Sequence, residues 1–261
     1  MKISLLKHLG NVLLGFSIAA FGIEQLLYGH LLLAFFPVKI TPSKQLYVCI
    51  TIGILYIFAA LPVWFSSRNS ILKLLPLTLF LAPLLFFHLP ILLHNPSNGS
   101  KWTVCFELVS LAFGTAISVY LPDDFSGITK LTKVNLQKVC IIFFGLSLFV
   151  FSVLHFVYSA YISTLIPIWI PFHLFWAYFF GCAFLATSLS IIFNKYSRTS
   201  TFALSLMFLL WVFVLHLPRV IVNPIEAEIT SLFVALGMSG VSMLFSFYSR
   251  RSAQFSVHAI L

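Results

Sequence analysis

Eight apolar stretches of about twenty residues dominate this sequence and constrain what it can fold into. A helix needs about 20 largely apolar residues to cross the hydrocarbon core of a membrane. Hydrophobic residues make up 61% of the 261-residue chain and charged residues 8%, which is more apolar surface than one soluble core could bury. The sequence therefore predicts an all-α membrane protein with eight transmembrane helices in contact with the lipid bilayer. The predicted spans are 9–34, 45–65, 74–93, 102–121, 139–163, 173–193, 201–222 and 230–249.

The basic residues indicate how these spans are oriented. The net charge is +9, but Lys and Arg stand singly in short loops, so we expect no nucleic-acid partner. Most of them fall in the terminal segments and the even-numbered loops, and Lys and Arg are enriched in cytoplasmic loops. Both termini are therefore predicted to be cytoplasmic. The first apolar run is too long for the core of a signal peptide, and we interpret it as an uncleaved span.

One phrase occurs twice in the chain. HLPILLHNP at 88–96 returns as HLPRVIVNP at 216–224, 128 positions later, with identical His, Leu, Pro, Asn and Pro. A shift of 130 likewise aligns 9–37 with 139–167 and matches Tyr28 with Tyr158. Apolar sequences always align partly with one another, but they do not account for matched polar and proline positions at nearly one offset.

These matches predict a tandem duplication. The predicted units are two four-helix bundles at 1–122 and 139–251, joined by a short cytoplasmic linker at 123–138. Each unit has an even number of spans, so both copies enter the membrane from the same side and form a parallel repeat.

Polar residues inside the spans are the candidate functional residues, because an ionisable group in hydrocarbon costs several kcal/mol unless it is paired or hydrated. Residues three apart lie on nearly one helix face, which pairs Gln25 with Tyr28 and His155 with Tyr158. We therefore predict an outward-facing polar pocket, whereas the competing interpretation is that these groups only hold helices together. The candidate ligand-binding residues are Glu24, Gln25, Tyr28, His88, Glu107, His155, Tyr158, His216 and Arg219.

The sequence carries no standard catalytic signature, so whether the protein is an enzyme stays open and an accessory role is favoured. The histidines of the spans have no carboxylate at ligand spacing, and we expect no metal site. Four cysteines occur without a CxxC pair, which is typical of cysteines buried as small apolar residues. A disulfide between Cys49 and Cys105 remains open at this point.

The second half resembles the DoxX-like family of bacterial membrane proteins. FFGLSLFVFSVLHFVYSAYISTLIPIWIPFHLFWAYFFG, followed by HLPRVIVNP, is similar to that family's four-helix unit in its glycine, His-Phe pair, P-x-W-x-P loop and HLP...NP end. The chain departs from the family pattern at Phe184, where an acidic residue is frequent, and at Gln25-Leu26 in place of His-Phe. The matching residues are Gly145, His155, Phe156, Pro167, Trp169, Pro171, Trp176, Tyr178, Gly181, His216, Pro218, Asn223 and Pro224.

The resemblance implies a multi-pass protein of the bacterial inner membrane that is associated with redox chemistry. In that hypothesis His155, Tyr158 and His216 hydrogen-bond the carbonyls of a quinone or another lipophilic molecule, and a membrane or outer-side oxidoreductase partner supplies the electrons. Two alternatives stay open. One is a structural or assembly subunit without a ligand, and the other is a small-molecule or lipid transporter, suggested by the parallel repeat and by Glu24.

Overall fold

The computed structural model describes residues 3–38, 41–65, 70–121 and 129–258, with side chains in these ranges except at residues 3–4, 42–43, 70–71, 130 and 249–258. Eight helices in these ranges are long and apolar enough to cross a membrane, which confirms the predicted number of spans. The third and seventh spans each contain a π-helical segment, named π1 and π2 here. The elements are α1 Ile3–Tyr28, α2 Pro42–Trp64, α3 Ser70–Pro83, π1 Leu84–His88, α4 Leu89–His94, α5 Gly99–Tyr120, α6 Lys130–Val157, α7 Ser159–Thr164, α8 His173–Ile192, α9 Ser197–Trp211, π2 Val212–His216, α10 Leu217–Val222 and α11 Glu226–His258.

The first and fifth spans end earlier than predicted. The first was expected to reach residue 34, but α1 ends at Tyr28, where Gly29 takes a left-handed backbone with φ of +67°. Glycine adopts this conformation without steric cost and commonly ends helices. The fifth span ends at Val157, and the short helix α7 follows after a break at Tyr158.

The chain that follows α1 turns back into the helix bundle. We call residues 31–36 the plug, because Leu31, Leu32, Phe35 and Phe36 are all buried. The ring of Phe35 has its centroid 4.7 Å from that of Phe21, 6.2 Å from Tyr56 and 6.1 Å from Phe80. A segment predicted as the end of a helix therefore fills the core with an aromatic cluster.

The two HLP...NP phrases share one backbone. In each, a five-residue π-helix ends at the histidine, and a six-residue α-helix then ends one residue before the asparagine. The N–H of Leu89 bonds the carbonyl of Leu84, and that of Leu217 bonds the carbonyl of Val212, each five residues back. A proline one position later has no N–H and its ring displaces a carbonyl, which explains the wider turn.

Helices from the two predicted units pack against each other. α1 lies against α2 and α11, and α6 lies against α8 and α5. The first span of each predicted unit thus contacts the last span of the other, and one apolar core contains residues from both. The division into two bundles and the sidedness of the termini stay predictions.

We call the contact between α1 and α11 the seam, and at its centre the two backbones touch. A Cβ added to Gly240 would lie 2.6 Å from the backbone nitrogen of Leu14 and 2.8 Å from the carbonyl oxygen of Gly10. Farther along, Ser17 Oγ donates to the carbonyl of Phe233 at 2.7 Å. Small residues allow such close approach between membrane helices, where packing rather than the hydrophobic effect drives association.

These contacts run antiparallel, so the first turns of α1 and the C-terminal part of α11 lie at one end of the bundle. Gly10 faces Gly240 on the side of the seam nearer to that end, and Glu24 faces Thr230 toward the opposite end. We call the opposite end, where the odd-numbered loops lie, the far end.

We expect Gly240→Ala to destabilise the protein by about 1–3 kcal/mol, because the added methyl group meets backbone atoms that cannot move without separating the helices. The measurement is thermal unfolding of purified protein in detergent. Gly145→Ala is the matched control, since its added Cβ would lie 3.4 Å from a side-chain atom of Ile192 and would fit. Equal unfolding temperatures for the two variants would contradict a close seam.

Candidate functional site

The nine candidate residues all lie toward the far end, but they form three separate groups. Gln25 and His88 belong to the first half, and Glu24 and Tyr28 to the seam. The third group lies in the second half and consists of His155, Tyr158, His216 and Arg219, whereas Glu107 stands apart from these groups on α5 of the first half.

In the first half, the polar side chains form hydrogen bonds with backbone groups of the chain itself. His88 is 5% exposed, and its Nε2 donates to the carbonyl oxygen of Phe35 at 3.0 Å. Gln25 is fully buried; its Nε2 donates to the carbonyl oxygen of Cys49 at 2.9 Å, and its Oε1 accepts from the N–H of Leu32 at 3.5 Å. Both side chains hold the plug in place.

The expected face shared by Gln25 and Tyr28 is not formed. Gln25 bonds α2 and the plug, whereas Tyr28 lines a cavity beside Glu24. Glu24, which lines the cavity, precedes Gln25 by one residue. A helix turns by about 100° for each residue, so the two side chains point in different directions. Glu24 and Tyr28, four residues apart, are the pair that the structure brings together.

In the second half, the equivalent histidine has no partner. His216 Nδ1 is buried and makes no hydrogen bond within the described residues, and the same holds for Trp211 Nε1. His155 Nδ1 bonds the carbonyl of Phe151 at 2.8 Å, and its ring stacks on Trp211 with centroids 6.2 Å apart. The ring of Phe184 lies 5.0 Å from that of His155 and 5.9 Å from that of Trp211. We call His155, Phe184 and Trp211, together with His216 five residues farther along the span of Trp211, the aromatic site.

Sequence reasoning missed Trp211, because its candidates were ionisable groups, one amide and tyrosines, and it left out the indoles of the spans. The signal was present: Trp211 stands five residues before His216 in an apolar span, and an indole N–H in such a place needs an acceptor. Glu107, which sequence reasoning included, is half-buried on α5 and makes no hydrogen bond or ion pair with the part of the chain that the structure describes.

The two halves differ because their loops differ. After α1 the apolar run LLLAFF enters the core as the plug, whereas after α6 the chain forms the short helix α7. The loop that follows exposes Ile168 by 95% and Phe172 by 79%. No carbonyl of this second loop bonds His216, so the hydrogen bond between Phe35 and His88 has no counterpart at His216 within the described residues.

Tyr158 and Arg219 link parts of the far end. Tyr158 donates to the carbonyl oxygen of Ser97 at 2.9 Å, and its ring covers Gly99, where an added Cβ would lie 2.4 Å away. Arg219 pairs with Glu228 at 2.5 Å. Both candidate residues therefore have structural partners.

The seam holds a cavity of about 410 Å³ between α1 and α11, lined by Glu24, Tyr28 and apolar side chains. Glu24 is 3% exposed, and its Oε1 accepts a hydrogen bond from Thr230 Oγ1 at 2.5 Å. Its Oε2 is buried and has no partner among the described residues. Near the mouth, His30 Nε2 lies 3.6 Å from a carboxylate oxygen of Glu226.

The structure also shows the state of the cysteines and the arrangement of groups that could bind a metal. Cys49, Cys105, Cys140 and Cys182 are free thiols, so the pairing of Cys49 with Cys105 that the sequence left open is not formed. Cys49 Sγ instead donates to the carbonyl of Gln25 at 3.0 Å. Across the described ranges, no group of three or more His, Cys, Asp or Glu residues is arranged to hold a metal ion.

Comparison with family models, with curated proteins and with solved structures finds no match to this chain. The resemblance to the DoxX-like family therefore stands on the residues that carry it and stays a prediction.

His88→Ala should destabilise the protein by about 1–3 kcal/mol, because it leaves the buried carbonyl of Phe35 without a donor. His216→Ala is the matched control, since it removes the same ring from the repeated phrase without breaking a hydrogen bond. Thermal unfolding of both variants in one detergent gives the comparison. If His216→Ala lost as much stability as His88→Ala, the contrast between the two halves would be wrong.

Proposed function

We propose that this protein binds a lipophilic molecule of the quinone class at its aromatic site. The observation that carries the proposal is the unpaired state of Trp211 Nε1 and His216 Nδ1, which are buried at the far end of a membrane-spanning chain. A buried polar group without a partner costs about 1–3 kcal/mol, and membrane hydrocarbon offers nothing to pair with it. A ligand with a carbonyl oxygen removes that cost by accepting from the indole.

The first half indicates what kind of ligand fits. There the plug supplies an apolar six-membered ring, that of Phe35, together with a carbonyl oxygen that accepts from His88. A quinone head has the same two features, a flat ring and carbonyl oxygens on it. The aromatic site has the corresponding histidine and aromatic walls but no plug, so a quinone would complete it as the plug completes the first half.

Access from the bilayer is consistent with this function. His155, Trp211 and His216 are half-buried, and Phe213 on π2 is 57% exposed. In a membrane such surfaces contact lipid, the phase in which a quinone with an isoprenoid tail dissolves. The aromatic rings bind the head by stacking, and Trp211 Nε1 orients it by its hydrogen bond.

The wider redox assignment extends this proposal. A quinone bound here would exchange electrons with an oxidoreductase partner in the membrane or on its outer side, and the chain would act as an accessory subunit of DoxX-like type in a bacterial inner membrane. The common π-helical backbone of the two phrases and the reciprocal contacts of α1 with α11 and α6 with α5 support the underlying duplication.

A structural or assembly subunit is the second candidate function, and a specific observation favours it. Gln25, His88, Tyr158 and Arg219 all bond other parts of the chain, so these candidate residues stabilise the fold. This alternative leaves Trp211 and His216 without a role, and for that reason we rank it second.

A titration with a radiolabelled short-chain benzoquinone tests the proposal on protein in lipid nanodiscs. We expect saturable binding that Trp211→Phe weakens by about 5–10-fold, because one hydrogen bond is worth about 1–1.5 kcal/mol. Phenylalanine keeps an aromatic wall and removes the donor.

Trp176→Phe is the matched control, because the indole of Trp176 donates to the carbonyl of Pro171 in a loop. Its affinity should equal that of the unchanged protein. Equal affinity in all three proteins would overturn the role of Trp211, and the absence of saturable binding in the unchanged protein would favour the structural alternative.

A further inference from the structure

We infer that the cavity at the seam is a second binding site, which takes a lipophilic ammonium ion from the bilayer. This site is separate from the aromatic site: it lies between α1 and α11, and the aromatic site is formed by α6, α8, α9 and π2. Its volume of about 410 Å³ falls within the range of small-molecule pockets.

The carboxylate of Glu24 gives the cavity its chemistry. Thr230 Oγ1 satisfies Oε1, and Oε2 is buried without a donor. The ion pairs of His30 with Glu226 and of Arg219 with Glu228 do not include Glu24, and no described cationic side chain lines the cavity. A buried carboxylate in hydrocarbon is unfavourable unless a cation pairs with it, and an ammonium ion supplies the missing charge and the missing N–H together.

The other walls fit the rest of such a molecule. The aromatic rings of Tyr28 and Phe233 line the cavity, and aromatic faces attract ammonium ions. Ala20, Ile23 and Leu27 add apolar surface for a hydrocarbon tail.

The cavity opens on the side of α1 that faces lipid. Leu27 is 81% exposed and Ile23 is 51% exposed, although Glu24 between them is buried. A ligand therefore enters sideways from the membrane, with its charged head at Glu24 and its tail along the exposed flank.

With Glu24 ionised, the polarity of this site disfavours the ligand proposed for the aromatic site. A carboxylate oxygen accepts hydrogen bonds, and a quinone carbonyl has none to donate. Anionic heads are disfavoured as well, because Glu226 lies close enough to act electrostatically on Glu24. The two sites thus take opposite chemical classes, a donor-bearing cation at the seam and an acceptor-bearing ring at the aromatic site.

Two probes that share a dodecyl tail separate the contribution of the charge to binding from that of the hydrocarbon tail. Dodecylammonium and dodecan-1-ol are titrated into nanodiscs of zwitterionic phosphatidylcholine with and without protein, so that partition into lipid is subtracted. We expect saturable binding of dodecylammonium at least about tenfold tighter than that of dodecanol, because a desolvated charge pair adds to the shared tail contacts. Glu24→Gln should remove that difference and leave dodecanol binding unchanged.

Glu228→Gln is the matched control, since it removes one carboxylate charge from α11 at the far end without lining the cavity. It should keep the preference for dodecylammonium. Ile23→Trp should weaken both probes, because it fills the cavity from the lipid side while Glu24 stays in place.

The outcomes are distinguishable. Equal binding of the two probes, or a preference that survives Glu24→Gln, would overturn the ammonium assignment. If Glu24→Gln does not fold, unchanged dodecylammonium binding to Ile23→Trp would overturn the site itself. The benzoquinone titration is independent of these results, because Trp211→Phe does not touch the seam.

Discussion

A non-helical segment inside a membrane bundle must have its backbone polar groups satisfied by protein, and this requirement shapes the far end of the chain. The plug meets it through two side chains from different spans: His88 donates to the carbonyl of Phe35, and Gln25 accepts from the N–H of Leu32. Without them, burying the aromatic ring of Phe35 would leave peptide groups unpaired in hydrocarbon. The polar side chains of His88 and Gln25 thus allow the apolar plug to be buried in the core.

The second half keeps the histidine of this arrangement and lacks the segment that it serves. The HLP phrase has the same π-helical backbone in both places, so the side chains of His88 and His216 project from equivalent turns. The difference comes from the preceding loop, in which one copy inserts an aromatic ring and the other forms α7. Under the predicted duplication and the proposed function, the first copy is closed by its own chain, which accepts from His88, and the second copy offers the indole of Trp211 to a ligand instead.

The sequence predicted the spans and the far-end position of the polar groups, because hydropathy and the charged loops report directly on the bilayer. It did not predict the plug: an apolar run that continues a helix looks the same as one that folds back, and Gly29 was the only local sign of an end. The partner of Glu24 lies 206 positions away at Thr230, and no pattern within one helix could indicate it. The spacing along α1 paired Gln25 with Tyr28. Contacts with other elements separate them, because Gln25 bonds α2 and the plug, whereas Tyr28 lines the cavity at the seam.

The seam explains why a cavity survives beside Glu24. Glycines bring α1 into backbone contact with α11 at Gly240 and with α2 at Gly22, where an added Cβ would lie 2.5 Å from the carbonyl of Gly53. A helix held on two faces cannot shift to close a gap farther along its length. Toward the far end, Thr230 and Phe233 lie on the face of α11 that meets α1, and the cavity lies between the two helices there. Close packing at the centre of the seam therefore leaves a cavity beside the buried carboxylate at its end.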